Sequence, residues 1–296
     1  MIDGPTAGAV SGVALLFGLL VGSFLNVVIY RMPRGESIVT PGSHCPACDT
    51  PIRPWQNVPV ISYLLLGGRC AQCKVSISPR YPAIELLTGL VFAAIAWRFG
   101  PTPQAVIFML FAAGLIVAAV IDIDLQIIPD EISLGGLGFG LAAVPAVHAL
   151  GGAPYWPVLV ESAAGALIGG GTLWLVAFLH ARISVATGRQ FAHWPGEGEA
   201  LPRPGEADYW LWFPGLGLGD VKLLAMIGAF LGPWGVLDTI LAASALGLVL
   251  GVGYGLATRN WSSPFGFGPA IAAGAALSLF VPPHAWLLGG AAGALG

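Results

Sequence analysis

The chain has 296 residues, of which 56% are hydrophobic and only 9% are charged, with a formal net charge of −3. Its mean hydropathy is +0.82. Soluble domains carry about 25% charged residues, so this composition excludes a soluble globular protein. It predicts an all-α polytopic membrane protein.

Eight apolar segments are predicted to cross the bilayer. They cover roughly residues 8–30, 82–99, 103–121, 132–150, 157–180, 216–233, 236–257 and 267–290. The sixth segment is the shortest, and a re-entrant helix is an alternative for it. The first apolar run has no basic segment before it and is long enough to remain as a membrane anchor, so no cleavable signal peptide is expected.

The basic residues are strongly biased to one side of this arrangement. Eleven of the twelve fall on one side, and only Arg98 falls on the other. Because Lys and Arg are retained in the cytoplasm, that side is predicted to be cytoplasmic. Two cytoplasmic segments, 31–81 and 181–214, exceed ordinary loop length. The first half of 181–214 is predicted to be a flexible loop, and its aromatic end suits the membrane interface: Tyr209, Trp210, Trp212 and Phe213.

All four cysteines lie in the first cytoplasmic segment, as the pairs Cys45/Cys48 and Cys70/Cys73. Two C-x-x-C pairs with 21 residues between them are typical of a tetrahedral four-thiolate zinc site. Two disulfides are the first alternative, which a reducing cytoplasm disfavours. A redox-active pair is the second, but no thioredoxin-like pattern accompanies it. Four protein ligands leave no open coordination position, so the zinc ion is expected to be structural.

Three aspartates are predicted at one membrane depth, because Asp122 and Asp124 end the third span and Asp220 begins the sixth. Ionisable residues at membrane depth are costly and usually functional. Two carboxyl groups that share a site hold one proton, which supplies the acid and the base of an aspartyl protease. Gly217 and Gly219 would let an extended substrate approach Asp220. Alternatively, Asp220 caps a helix and the other two aspartates are ordinary interface charges.

Together these motifs resemble the bacterial type IV prepilin leader peptidases/N-methyltransferases, which are G-x-G-D intramembrane aspartyl proteases. The resemblance runs through GSFLNVVIYRMP (22–33), CPAC (45–48), NVPVISYLLLGGRCAQCKVSISPRYPAIELLTG (57–89), IDIDLQIIPDEISL (121–134) and GLGLGDVKLLAMIGAFLG (215–232). The expected domains are a first transmembrane helix (1–30), a cytoplasmic four-cysteine zinc domain (31–81), and a transmembrane aspartyl protease domain (82–296) with a cytoplasmic insertion at about 181–214.

The resemblance implies specific site residues. It makes Asp122, which stands seven residues before Pro129, and Asp220 the catalytic pair. Asp124 is a neighbour at the wrong spacing and stays a minor candidate. Lys222 matches the D-x-K of the family motif and is expected to steady the site electrostatically. The four cysteines match the zinc-binding domain of the family.

The implied reaction removes the basic leader of prepilins or pseudopilins at the cytoplasmic face of the bacterial inner membrane. Many members then methylate the new N-terminus with S-adenosylmethionine. No soluble nucleotide-binding pattern is evident, so the cofactor site must be built from membrane helices and the cysteine domain. Glu85 is a candidate contact for this cofactor, and a charge favoured by the helix dipole is the alternative. Expected partners are these substrates, the lipid bilayer and the pilus or secretion machinery, with no nucleic acid.

Two other functions were weighed. An ion-coupled transporter with a regulatory zinc domain should show repeats and acids near the bilayer midplane, and the sequence shows neither. A degenerate relative with one activity is opposed by the presence of every protease motif position, although methylation could still be lost. Residues 189–214 form an insertion relative to many family members. It is a candidate lid, substrate selector or partner contact, or a loop without function.

Overall fold

The computed structural model describes residues 4–189, 194, 201–214, 216–258 and 266–281. Nine α-helices lie in these residues: α1 (Gly4–Arg31), α2 (Ile61–Leu65), α3 (Arg80–Phe99), α4 (Pro103–Leu125), α5 (Asp130–Leu150), α6 (Tyr155–Ala186), α7 (Ala207–Leu211), α8 (Leu218–Thr258) and α9 (Gly268–Ser278). Two short 3-10 helices, Met32–Arg34 and Pro54–Gln56, complete the described helical elements.

Six of the described helices are long and apolar enough to span a membrane, namely α1, α3, α4, α5, α6 and α8. Extended pairing within the described residues is limited to two isolated bridges. The predicted class, an all-α multi-pass membrane protein, is therefore confirmed. The count of eight spans stays a prediction.

Helix α8 is continuous in sequence but bent in shape. Gly232 has φ 67° and ψ −175°, which is not a helical conformation, and Pro233 follows it. Proline cannot donate the backbone hydrogen bond that would continue the helix. The break divides α8 into a first arm (218–231) and a second arm (233–258), which match the sixth and seventh predicted spans. Of the eighth predicted span, 267–290, the structure describes α9 and the residues up to 281.

The chain forms two compact units, Met1–Ile121 and Asp122–Gly296. In the first unit, α1 packs along α3 through glycines. A Cβ at Gly18 would lie 2.8 Å from the Cα of Gly89, and a Cβ at Gly22 would lie 2.7 Å from the Cα of Glu85. Small residues at these crossings let the two helix backbones approach closely, as in other membrane helix pairs.

In the second unit, α6 crosses α8 in the same way. Gly165 of α6 and Gly228 of α8 pack backbone against backbone, and any side chain at either position would overlap the other. The second arm of α8 meets α9 at Gly274, where a Cβ would lie 2.8 Å from the carbonyl oxygen of Thr239. Close glycine packing therefore sets the positions of α6 and α9 against α8.

The aromatic end of the insertion packs on α6 within the second unit. The Trp210 ring stacks on Phe178 with a centroid distance of 5.2 Å, and the Arg182 guanidinium lies 3.8 Å from the Tyr209 ring centroid. Phe213 is buried against Ala177 and the rest of this cluster. The aromatic residues that were predicted at the interface thus attach the insertion to α6. The predicted flexible loop in the first half of 181–214 is wrong for residues 181–186, which continue α6; residues 190–193 and 195–200 lie outside the described residues.

Candidate active site and thiolate centre

Asp122 and Asp220 both lie in the second unit. Asp122 is in the last turn of α4 and is only 6% exposed. Asp220 is in the first turn of α8 and is half-buried. The two carboxyl groups are near enough to interact electrostatically. The end of α4 and the start of α8 therefore bring the two predicted aspartates together. We call Asp122, Asp220 and Gly268 the aspartate site.

A glycine pair holds the Asp122 carboxylate in place. The backbone N–H of Gly268, at the start of α9, donates to Asp122 Oδ2 at 3.2 Å. A Cβ would lie 2.5 Å from that oxygen at Gly266 and 2.7 Å from it at Gly268. Only glycine permits this approach of backbone to carboxylate. Sequence reasoning did not identify these residues, although G-x-G followed by Pro269 at a helix start is a readable signal.

The neighbouring Asp124 has a different environment. It is exposed, whereas Asp122 is buried. Two residues correspond to about 200° around a helix, so the two side chains point in different directions. Burial therefore distinguishes the two aspartates, and it favours Asp122, as the motif spacing does.

The predicted supporting residues have unequal surroundings. A Cβ at Gly219 would lie 3.1 Å from the Cβ of Ile128, so this glycine makes room for a buried isoleucine. A Cβ at Gly217 would meet only the Gly219 nitrogen at 3.8 Å, so the space beside it is open. Lys222 forms an ion pair with Asp130 at the start of α5. Its ammonium group therefore has a carboxylate partner outside the predicted catalytic pair.

The four cysteines lie in two turns with the same backbone pattern, which we call the cysteine module (residues 43–77). In the first turn the N–H of Cys45 donates to the Thr50 carbonyl at 3.0 Å, and in the second the N–H of Cys70 donates to the Val75 carbonyl at 2.9 Å. An isolated bridge closes each turn. Asp49 and Lys74 follow the second cysteine of each pair with φ of 55° and 61°. This short repeat, 25 residues apart, was not recognised in the sequence.

The thiol groups of the cysteine module suit one metal ion. All four cysteines are free, and their Sγ atoms lie within 4.8 Å of one another. The Sγ atoms of Cys45 and Cys73 are 3.8 Å apart. Tetrahedral coordination with zinc–sulfur bonds of about 2.3 Å requires sulfur–sulfur separations of about 3.8 Å. The Thr50 hydroxyl, then its backbone N–H, lowers the pKa of Cys48 to about 6. Against a lowering by the Val75 backbone N–H, burial and the neighbouring thiols raise the pKa of Cys73 to about 11, so a bound metal would have to displace the proton of that thiol.

Glu85, the candidate cofactor contact, is buried in the first unit. Its Oε2 accepts a hydrogen bond of 2.7 Å from the backbone N–H of Val60. Val60 has a φ of 60°, which is unusual for a β-branched residue. The carboxylate of Glu85 therefore fixes an unusual turn in the segment between the two cysteine pairs.

These features define a multi-pass membrane protein with two neighbouring carboxyl groups, one buried and one half-buried, and a thiol cluster that could hold a metal ion. Two family models match the chain: the bacterial peptidase A24 N-terminal domain over residues 16–99, and the type IV leader peptidase family over residues 109–252. The first match includes all four cysteines, and the second includes both aspartates. The chain belongs to the type IV leader peptidase family.

Curated relatives extend this similarity over most of the chain. A prepilin leader peptidase/N-methyltransferase of Pseudomonas aeruginosa is 37% identical, with 87% of this chain and 86% of the relative covered. The protein of that name from Neisseria gonorrhoeae is 34% identical over 87% of this chain and 86% of its own. A type 4 prepilin-like proteins leader peptide-processing enzyme of Escherichia coli is 34% identical, with coverages of 90% and 93%. No solved structure matches significantly. The predicted family is thereby confirmed.

Proposed function

We propose that this chain is a membrane aspartic endopeptidase that removes the leader from type IV prepilins or pseudopilins and then N-methylates the new N-terminus. The observation that carries the proposal is the buried Asp122 carboxylate beside Asp220, held by the Gly268 N–H. The family and the names of the relatives support an enzyme with both activities. They give no support to an ion-coupled transporter.

In the proposed mechanism the two carboxyl groups share one proton. The ionised aspartate takes a proton from a water molecule, whose oxygen attacks the carbonyl carbon of the scissile peptide bond. The protonated aspartate donates its proton to the carbonyl oxygen. When the carbon–nitrogen bond breaks, the leaving nitrogen takes the proton that the first aspartate received from water and departs as the free amine. The second aspartate regains its proton from the gem-diol hydroxyl as the new carboxyl group forms. The open space beside Gly217 gives an extended substrate access to Asp220.

The proposed location is the inner membrane of a bacterium, with both sites on the cytoplasmic side. The charge bias supports it, since eleven of the twelve basic residues fall on one side of the eight-span arrangement. A basic prepilin leader stays in the cytoplasm for the same reason. Its scissile bond, at the start of the apolar pilin helix, would then lie at the depth of the aspartates.

The proposed domains keep the predicted boundaries at 30/31 and 81/82, with the zinc domain between them. Zinc would be held by Cys45, Cys48, Cys70 and Cys73, whose sulfur distances suit tetrahedral coordination. Such an ion would be structural, because it joins two turns that share little buried apolar surface. S-adenosylmethionine supplies the methyl group when bound.

A cleavage assay tests the peptidase activity. The purified protein is incubated in detergent with a prepilin that carries its basic leader, and intact mass reports loss of the leader and gain of a methyl group. We expect Asp122→Asn and Asp220→Asn to lower the cleavage rate by roughly 10²- to 10⁴-fold, since each removes a proton-transfer group. Asp124→Asn, a change of the same kind at an exposed position, should cleave like the unmodified protein.

Survival of cleavage in Asp122→Asn with loss in Asp124→Asn would move the catalytic role to Asp124. Failure of the folded, metal-loaded protein to cleave any prepilin would contradict the peptidase proposal. A methyl-sized mass gain that requires S-adenosylmethionine would establish the second activity independently.

A further inference from the structure

A cavity of about 420 Å³ opens in the first unit beside the C-terminal half of α1. Ser23, Phe24, Val27 and Arg31 of α1 line one side, and the segments that flank the first cysteine pair contribute the rest, including Ser43 and Asn57. Its size falls within the range of about 300–1,000 Å³ that is usual for small-molecule sites. The aspartate site does not contribute to its lining.

Arg31 is the charged residue of this lining, and its surroundings leave its charge uncompensated. The residue is only 8% exposed. Its guanidinium donates to the Ser37 carbonyl at 2.9 Å, but no carboxylate of the described residues forms an ion pair with it. A buried charge without a counter-ion is costly. Arginine is charged at any physiological pH, and its planar fork matches a carboxylate or a phosphate.

The rest of the lining suits a ligand that is only partly polar. Phe24 and Val27 give an apolar face on which a flat ring could lie, and Ser43 and Asn57 offer hydrogen-bonding groups. The methyl donor that an N-methyltransferase requires has one carboxylate, one flat adenine ring and one ribose. It also has an ammonium and a sulfonium cation, for which the side-chain oxygens of this lining and the face of the Phe24 ring are suitable neighbours. We propose that this cavity binds S-adenosylmethionine, with its carboxylate on Arg31; this inference rests on the proposed methyltransferase function.

The same geometry gives Glu85 a structural role in place of the predicted contact with the cofactor. Its carboxylate accepts the N–H of Val60, and the preceding residue, Pro59, lines the cavity. Glu85 is not among the lining residues. It is therefore a positioning residue that holds the Pro59–Val60 wall, and the contact with the cofactor belongs to Arg31.

The test compares two ligands that differ only in the carboxylate. Equilibrium dialysis of the purified protein in detergent measures the affinity for S-adenosylmethionine and for its decarboxylated form. We expect the unmodified protein to prefer the carboxylated ligand by roughly ten- to a hundredfold, which is the usual effect of a charge-assisted hydrogen-bonded pair. Arg31→Met should lose this preference while its affinity for the decarboxylated ligand stays unchanged.

Arg34→Met is the matched control. Arg34 is exposed, its guanidinium lies 4.0 Å from the Tyr30 ring centroid, and it does not line the cavity. It should keep the full preference. Prepilin cleavage by Arg31→Met should continue, which shows that the variant is folded. If Arg31→Met loses cleavage as well, Arg31→Lys keeps the charge without the fork, and its preference should be intermediate.

Three results would overturn the inference. An Arg31→Met variant that keeps the preference would show that the carboxylate binds elsewhere, although the methyltransferase function would stand. Displacement of S-adenosylmethionine by phosphatidylglycerol at a stoichiometry of one lipid per site, abolished in Arg31→Met, would assign the cavity to a lipid headgroup phosphate. If the unmodified protein cleaves prepilin but binds neither donor, the methyltransferase function fails together with the inference.

Discussion

The cysteine module and the aspartate site are stabilised in opposite ways. In the cysteine module, short backbone hydrogen bonds shape two turns, and three of the four cysteines retain some exposure. In the aspartate site, the backbone at the start of α9 contacts the buried carboxylate of Asp122 directly, because glycines leave no side chain between them. We therefore expect the module to depend on a bound metal ion for its fold, and the aspartate site to depend on the absence of side chains at its glycines. The two should respond differently to mutation.

Among the changes that compare these two regions, the largest effect on cleavage is expected from one added methyl group in the aspartate site. In Gly268→Ala the new Cβ would lie 2.7 Å from Asp122 Oδ2, so either the carboxylate or the start of α9 must move. Displacements of about 1 Å at a reacting group cost roughly 10²-fold in rate. We expect a loss of that size in prepilin cleavage by folded protein.

Gly138→Ala in α5 is the control for this substitution, because a Cβ there meets nothing within 4 Å. It should cleave like the unmodified protein, and its melting temperature should not fall, since alanine is the better helix former. A Gly268→Ala variant with full activity would show that α9 does not set the position of Asp122.

Metal removal should lower the cleavage rate less than Gly268→Ala does, but it should unfold the cysteine module. Chelation, or Cys48→Ser, is expected to remove the bound metal and to expose the module to trypsin at Arg69 and Lys74. Leader cleavage should fall less than in Gly268→Ala. Metal analysis, limited proteolysis and the cleavage assay on the same sample report the three quantities.

Adding zinc back should restore the resistance of the chelated protein to trypsin, and Ser43→Ala should keep both the metal and the resistance. Unchanged proteolysis after complete loss of metal would mean that the two turns hold their fold through their own hydrogen bonds. The contrast between the two regions would then disappear.

The smallest effect is expected at Lys222. Its side chain is 28% exposed and that of Asp130 is 58% exposed. Ion pairs with such exposure contribute less than about 1 kcal/mol, so Lys222→Met should change cleavage by less than about fivefold. Cleavage rates and melting temperatures of Lys222→Met, Asp130→Asn and the double variant measure the coupling. A large loss of rate in Lys222→Met that Asp130→Asn does not share would return Lys222 to its predicted role beside the aspartates.

The features that could be predicted from the sequence were those marked by a pattern of nearby residues. Apolar runs predicted the starts of α3, α4, α5 and α6 to within two residues, but the end of α6 lies six residues beyond its predicted end and the short helices α2 and α7 were not predicted. Two C-x-x-C pairs predicted a cluster whose sulfur atoms do converge. The Gly268 contact lies 146 residues from Asp122 along the chain, and a close backbone approach leaves no composition signal. Arg31 was counted only as a positive charge on one side of the membrane. Its burial depends on how residues 37–59 fold back on α1, which no periodicity encodes.

The break at Gly232 has a consequence for the surrounding lipid. The first arm of α8, residues 218–231, is about 21 Å long at 1.5 Å per residue. The hydrocarbon core of a typical bilayer is about 30 Å thick. A helix shorter than this thickness draws the two leaflets together around it. If the first arm crosses the bilayer by itself, as the sixth predicted span does, we expect the membrane to be thinnest around it. Water from the adjacent aqueous phase would then reach the aspartate site.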